Sequence, residues 1–549
     1  MSKIHTLMIL LCSLAACIAS ERSSARGISG PEASLRCKSM SAEDFSKIPD
    51  ALTQVTQTAV TEAGEDAPAF CEVSGYVTPQ VGIVLRLPAK AWNGKFIELG
   101  CGGFCGSLEP SECNPLLRRG YACLVSDFGH RATIVDAKWA FNNIQAEIDY
   151  GYRGAHVVAL AGKAIIERYY GHRAKYSYFV GSSTGGRQAL MEAQRFPWDF
   201  EGIIASSPWP SDTGGSLNLL WVDRALHDSA GAPLMQASDL ELLHQAALKH
   251  CDLDDGVKDG VIGNPQACAF DPRELRCAGS KRLDCLTNMQ VVAAQKVYNG
   301  ATTSDGHPIY LSGAMRGSER NWYGWYLGPG RFGYAYSGEE FRYCLFDPDP
   351  GSAWRPQQFD FDSDYKRLGL AEGLYDPINP DLRRFKATGG KLLAYAGWND
   401  AAGMPLHSAD YYEMVEKAMG GRGATQDFFR LFMVPGMEHG PNGDGATVVD
   451  WLSYLEAWVE DARAPDKVMS YRLEGELTRD PTQLPHQQLD ESRIRLMGEQ
   501  RYWAEMLKQP LSASRIELTR PVYPYPILAK YRGRGDPNDA SSFGPVVKH

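Results

Sequence analysis

Two stretches of this chain alternate between short apolar runs of strand type and longer runs of helix type, and that rhythm limits the fold more tightly than any other feature. In the first stretch KFIELG (95–100) and YACLVSDFG (121–129) have the length and composition of buried strands. GAHVVALAGKAIIERYYG follows, with apolar residues at helical spacing and Gly171 as its stop. YSYFVG, RQALMEAQRF and FEGIIASSP continue as strand, helix and strand. Later, KLLAYAGW, SADYYEMVEKAMG, FFRLFMVPG and VVDWLSYLEAWVEDA repeat the pattern. Strands joined through helices pair in parallel, so the alternation predicts an α/β fold: a mostly parallel sheet flanked by helices on both faces.

Residues 210–385 break the rhythm. They are rich in Gly, Pro, Trp and Tyr, carry five cysteines, and include NWYGWYLG and FDPDPGSAWRP. We read them as an inserted unit between a first part of the main domain, 20–209, and a second part, 386–549. An insertion after FEGIIASSP hangs over the carboxyl edge of the sheet, where sites of such folds form. The tail is read as Pro-, Gly- and Asp-rich loop.

The formal net charge is -10 without any basic stripe, which argues against a nucleic-acid partner. Lys3 and the run TLMILLCSLAACIAS read as a signal peptide over residues 1–19, cleaved after Ala19. Leu14-Ala15-Ala16-Cys17 also fits a lipobox, which would make Cys17 a lipidated residue. Either way the expectation is export, to the periplasm or the medium. No later apolar run is long enough to span a bilayer. Of 13 cysteines, all but Cys12 and Cys17 lie beyond the leader, in close groups that suit disulfide staples. Zinc on Cys101, Cys105 and Cys113 is the weaker reading, because no histidine or CxxC pair accompanies them.

Between the YSYFVG strand and the following helix lies Gly181-Ser182-Ser183-Thr184-Gly185. Only this register matches G-x-S-x-G, in which glycines permit a sharp turn that exposes the central hydroxyl. Ser183 is therefore the candidate nucleophile; the plainer alternative is a Gly/Ser turn that caps the helix. In the α/β-hydrolase fold an acid and then a histidine follow, each on a loop after a strand. Asp400 follows KLLAYAGW and His439 follows FFRLFMVPG, so Asp400 would orient the imidazole that takes the serine proton. Asp410 is a rival acid. His130 precedes the serine, and His156, His244 and His407 fall in helix-like runs. An oxyanion hole needs two N–H donors: that of Thr184, and one from the glycine-rich turn 101–106.

CEVSGYV (71–77), WNGKF (92–96), FVGSSTGGRQALMEAQRFP (179–197), CDLDDGVKDGVI (251–262), AGWND (396–400), ADYYE (409–413) and LFMVPGMEHG (431–440) together resemble the tannase/feruloyl esterase family of α/β-hydrolases. That family also contains mono(2-hydroxyethyl) terephthalate hydrolase. The resemblance implies a lid domain, hydrolysis of esters of aromatic acids, a structural Ca²⁺ in the lid and no organic cofactor. It further implies Gly103 as second oxyanion donor, Trp325 as a substrate-stacking residue, and the disulfides Cys37–Cys71, Cys251–Cys268 and Cys277–Cys285. It gives no pairing for Cys101, Cys105, Cys113, Cys123 or Cys344. On the residues alone Trp325 and its neighbours fit a packed lid core equally well. The calcium loop offers carboxylates at Asp252, Asp255 and Asp259 and carbonyls at Val257 and Val261, hard donors that suit Ca²⁺. An Asp-rich turn accounts for those residues equally; the resemblance favours the metal. The family usually carries a cysteine before its serine and another after its histidine, bridged together; here Ser182 and Gly440 stand there. Thr184 after the nucleophile leans the acyl group toward feruloyl or galloyl esters rather than a terephthalate monoester. A non-catalytic ester-binding protein and an acyltransferase are the competing readings.

Overall fold

The computed structural model describes residues 30–310, 313–473 and 516–547; the leader, with Cys17, lies outside the described residues. Nine strands make the main sheet: β1 (Thr53–Thr61), β2 (Phe70–Val77), β3 (Val81–Pro88), β4 (Lys95–Leu99), β5 (Ala122–Ser126), β6 (Tyr176–Ser182), β7 (Gly202–Ser206), β8 (Lys391–Gly397) and β9 (Phe429–Val434). Their order is β1-β2-β3-β5-β4-β6-β7-β8-β9. From β5 to β9 every pairing is parallel. Helices Gly154–Tyr170 and Thr184–Arg195 provide the crossovers into and out of β6.

The side chains sort by the period of two. Phe96, Phe179, Leu392 and Leu431 face one core, whereas Ile97, Tyr178, Val180, Leu393 and Phe432 face the other. Helix Trp451–Asp461 covers the second face, with Trp451 stacked 4.2 Å from Tyr395. Burial on both faces explains why these strands read as continuous apolar runs.

Three strands are absent from the sequence reading. β1, β2 and β3 form an antiparallel meander that joins β5 in antiparallel sense. β1 has an alternating, half-exposed pattern, which lacks the apolar density of the inner strands. The tail also departs from the expected loop. β10 (Val468–Leu473) pairs with β11 (Ile516–Val522), and β12 (Ile527–Tyr531) with β13 (Phe543–Val547). Their flanking Pro, Gly and Asp residues dominate the composition and hide short strands.

Between β7 and β8 the chain builds a largely helical insertion that includes helices Asp212–Leu226, Ala237–Cys251, Asn288–Asn299 and Phe332–Tyr343. Disulfides join Cys37–Cys71, Cys101–Cys105, Cys113–Cys123, Cys251–Cys268 and Cys277–Cys285, and Cys344 is a buried thiol. With Cys101 and Cys113 in separate disulfides, the zinc alternative falls. Among the described residues no helix is long and apolar enough to cross a membrane.

Glu98 on β4 is fully buried, and neither carboxyl oxygen has a hydrogen-bond partner among the described residues. Burial first, and then nearby Asp199, push its pKa well above 4.5. The folded state therefore keeps a proton that the unfolded chain releases above about pH 4.5, so this group's contribution to stability falls as pH rises. We expect Glu98→Gln to gain stability relative to wild type as pH increases from about 5 to about 8. Melting curves across that range test it; a constant gap between the two proteins contradicts it.

Candidate active site

The turn after β6 is dictated by sterics. A Cβ on Gly181 would lie 2.3 Å from the Gly185 carbonyl oxygen, so no larger residue fits there. Ser183 adopts φ 59° and ψ -119°, a conformation costly for a non-glycine residue, and Thr184 opens the next helix. The Ser183 N–H donates to the Ser206 carbonyl at 3.0 Å, while its own carbonyl accepts from the Arg187 N–H at 3.0 Å. Strand and helix thus both fix the serine at the carboxyl edge of the sheet. Ser182, in the variable position, also lines the cavity and donates to Ser206 Oγ at 3.3 Å.

Asp400 follows β8 and is almost fully buried. Its Oδ1 accepts the N–H groups of Ala402 and Gly403, each at 2.8 Å, and its Oδ2 lies 2.7 Å from His439 Nδ1. Two amide donors occupy one oxygen and leave the other for the imidazole. With Asp400 Oδ2 as the acceptor, Nδ1 is the donor and Nε2 of the neutral imidazole keeps its lone pair. His439 sits on a tight loop after β9, closed by the Glu438 N–H donating to Asn442 O at 2.9 Å.

The insertion clamps this acid loop. Asn321 Oδ1 accepts from the Ala401 N–H at 3.2 Å, Tyr326 O–H donates to the Ala401 carbonyl at 2.7 Å, and Asn399 Nδ2 donates to the Gly317 carbonyl at 2.8 Å. Asn321 and Tyr326 fall in NWYGWYLG and Asn399 in AGWND, but the sequence gives no sign of these contacts. They join segments about eighty positions apart, for which no local pattern exists.

Ser183, Thr184, Gly103, Trp325 and His439 line one cavity of about 340 Å³, with Asp400 behind the imidazole. The Trp325 ring meets His439 edge-on at 5.3 Å and Phe332 at 5.0 Å. Phe332 and Tyr336 extend the aromatic wall. Gly103 has φ +54°, and a Cβ there would lie 2.2 Å from the Ile134 carbonyl oxygen. Its carbonyl accepts from Thr184 Oγ1 at 2.7 Å, so the residue after the elbow serine ties down the glycine-rich turn.

Glu438 adds a carboxyl to the wall. Burial first, with Asp444 and Asp400 nearby, raises its pKa to about 7. Among the described residues, the charged side chains on the cavity wall are Glu438, Glu109 and Glu112.

The rival residues have other attachments. His130 Nε2 meets the Phe104 carbonyl at 2.6 Å, stacks on Trp139, and is lowered to about 4 by burial. His407 is buried against Tyr310 and lowered to about 3 by that burial. His156 pairs with Asp199, and His244 with Glu319. Asp410 lies on helix Leu406–Ala418, whereas the imidazole of His439 bonds Asp400.

In the acidic loop, Asp252 accepts from the N–H groups of Asp259 and Gly260, Asp255 from Val257, and Asp259 from Val261. Asp259 Oδ2 is also paired with Arg520 Nη2 at 2.6 Å, a partner from β11 that the loop sequence does not suggest. Among the described residues, no three His, Cys, Asp or Glu side chains converge as a metal-holding group.

The profile of the family described as "Tannase and feruloyl esterase" matches residues 58–546. Mono(2-hydroxyethyl) terephthalate hydrolase of Piscinibacter sakaiensis is 33% identical over 556 aligned residues, covering 88% of this chain and 86% of that protein. Feruloyl esterase B of Aspergillus niger is 28% identical over 417 residues, covering 71% and 77%. The crystal structure of feruloyl esterase B from Aspergillus oryzae superimposes with a TM-score of 0.77 at 24% identity, over 94% of this chain and 100% of that one.

Proposed function

This chain belongs to the tannase and feruloyl esterase family and is a carboxylic ester hydrolase, and on that premise we propose that Ser183, His439 and Asp400 cleave esters of aromatic acids through a covalent acyl-enzyme. The observation that carries the reading is the Asp400–His439 bond at the rim of the cavity that also holds the Ser183 elbow. His439 Nε2 takes the Ser183 proton as Oγ attacks the ester carbonyl. The N–H groups of Thr184 and Gly103 stabilise the negative oxygen of the tetrahedral intermediate. Its collapse expels the alcohol, which receives the proton from the imidazolium. Water, deprotonated by His439, then releases the acid and restores the serine.

The cysteine pair usual in the family is replaced by Ser182 and Gly440, so packing and hydrogen bonds take over its positioning role. The edge of Trp325, the amides on Asp400 and the clamp from Asn321 and Tyr326 support that view. The insertion carrying Trp325, Asn321 and Tyr326, within 210–385, acts as the lid over the acyl pocket. Ser183→Ala is expected to abolish ester turnover, and Asp400→Asn to lower kcat by about 10⁴-fold, the cost of the wrong tautomer. Steady-state kinetics on methyl ferulate test both, and near-wild-type rates in either variant contradict the triad.

The wall of Trp325, Phe332 and Tyr336 suits a planar aromatic acyl group. Above about pH 7, where Glu438 on the same wall is ionised, a neutral feruloyl or galloyl ester is favoured over a terephthalate monoester, whose free carboxylate meets like charge. We expect methyl ferulate or methyl gallate to exceed mono(2-hydroxyethyl) terephthalate in kcat/KM by about tenfold or more, one such unit being about 1.4 kcal/mol. Equal values contradict this preference.

Structural Ca²⁺ at Asp252, Asp255 and Asp259, with the carbonyls of Val257 and Val261, is proposed from the hard-oxygen chemistry of these residues and the family resemblance, because among the described residues their carboxylates do not converge as a metal-holding group. The Arg520 pairing leaves only one oxygen of Asp259 outside an ion pair, so the fit is best at Asp252 and Asp255. A ligand of the folded state alone raises thermal stability. EGTA is therefore expected to lower the melting temperature by several degrees, with Ca²⁺ restoring it; an unchanged melting temperature contradicts the assignment. The five disulfides among the described residues suit export to an oxidising compartment.

A further inference from the structure

The disulfide Cys101–Cys105 spans four positions and closes a small ring around Gly102, Gly103 and Phe104. Both cysteines line the catalytic cavity, and no other disulfide does so among the described residues. The ring is tied to its surroundings on several sides. The Cys101 N–H donates to Gln188 Oε1 at 3.2 Å, and Gln188 Nε2 lies 3.5 and 3.6 Å from the two sulfurs. Gln188 and Thr184 belong to the same helix, the one that begins at the elbow. Opposite them, the Phe104 N–H donates to the Ile134 carbonyl at 3.0 Å, and the Phe104 ring stacks on Tyr336 at 4.2 Å.

The backbone inside this ring does not hold its shape by preference. Gly103 and Cys105 both have positive φ, +54° and +59°. For Cys105, with a Cβ, that conformation is costly relative to an ordinary one. An unlinked turn would therefore drift toward other conformations, and a cross-link removes most of those alternatives. The N–H of Gly103 sits inside the linked segment, so its direction depends on the ring.

We infer that the Cys101–Cys105 disulfide is a positioning element of the reaction, holding the Gly103 N–H where the ester carbonyl oxygen becomes negative. This rests on the oxyanion assignment above. It makes hydrolysis sensitive to thiol reductants at a site inside the cavity. Dithiothreitol supplies two electrons and two protons. The S–S bond breaks, Cys101 and Cys105 each become a thiol, and the reductant closes to its own cyclic disulfide.

The test compares wild type with Cys101→Ser/Cys105→Ser and with Cys113→Ser/Cys123→Ser, whose disulfide lies off the cavity. The readouts are kcat and KM on methyl ferulate, the inhibition constant of an arylboronic acid, and the melting temperature. The boronate's tetrahedral adduct places an anionic oxygen in the oxyanion hole. We expect the cavity pair to lose about 10–100-fold in kcat, the scale of a donor misplaced by about 1 Å, with KM within about threefold. Boronate affinity should fall by a similar factor, while the control pair keeps wild-type kcat. Wild type briefly treated with dithiothreitol should lose activity in step with alkylation of Cys101 and Cys105, mapped by mass spectrometry, and regain it on reoxidation. That arm decides the question should the double variant not fold. Unchanged kcat in the variant, unchanged activity after Cys101 and Cys105 are alkylated, or a loss of thermal stability with boronate affinity intact would overturn the proposal. Loss of wild-type turnover in Ser183→Ala checks the active-site reading separately, because that variant retains the staple.

Discussion

The fit of backbone against backbone at the turn after β6 sets the geometry on which the rest depends. Gly181 and Gly185 approach so closely that a methyl group between them has no room. The chain can pass from strand to helix only by folding Ser183 into a left-handed conformation at the crest. That turn simultaneously starts the helix bearing Thr184 and Gln188, and these two side chains reach the glycine-rich turn after β4. One local constraint thus aligns the proposed nucleophile, a helix N-terminus and the loop proposed to supply the second amide donor.

The other half of the site is held from above. Asp400 receives its shape from Ala402 and Gly403, but the loop bearing it is fastened to the insertion by Asn321, Tyr326 and Gly317. The same segment supplies Trp325, whose edge rests against His439. Arg320, the neighbour of Asn321, links Asp444 near the histidine loop with Glu241 on helix Ala237–Cys251. As the proposed lid, an insertion that also braces Asp400 and His439 would couple access to the pocket with alignment of the proposed catalytic groups.

How far the sequence disclosed this depends on range. The parallel strands, the crossover helices, the elbow serine and the loops bearing Asp400 and His439 are written in local patterns of a few residues, where sterics and periodicity act directly. β1 is half exposed and the short tail strands are hidden among Pro, Gly and Asp, so their signal is weak, whereas β3 is a dense apolar run that the alternation of strand and helix passes over because it belongs to an antiparallel meander. The clamp from Asn321, the pairing of Arg520 with Asp259, and the choice of Cys105 over Cys113 as partner of Cys101 are consequences of tertiary packing. Glu438 lay in plain view beside His439, yet its place on the cavity wall follows only from how the loop turns.

The central claim, that the hydroxyl at the crest of the elbow is the attacking group, is tested most directly by mass spectrometry after exposure to a fluorophosphonate. A single adduct on Ser183, blocked by prior incubation with an aromatic ester and lost when His439 is replaced by Ala, is the predicted result. Modification of Ser182 instead, or undiminished hydrolysis by protein that carries the adduct, would contradict it.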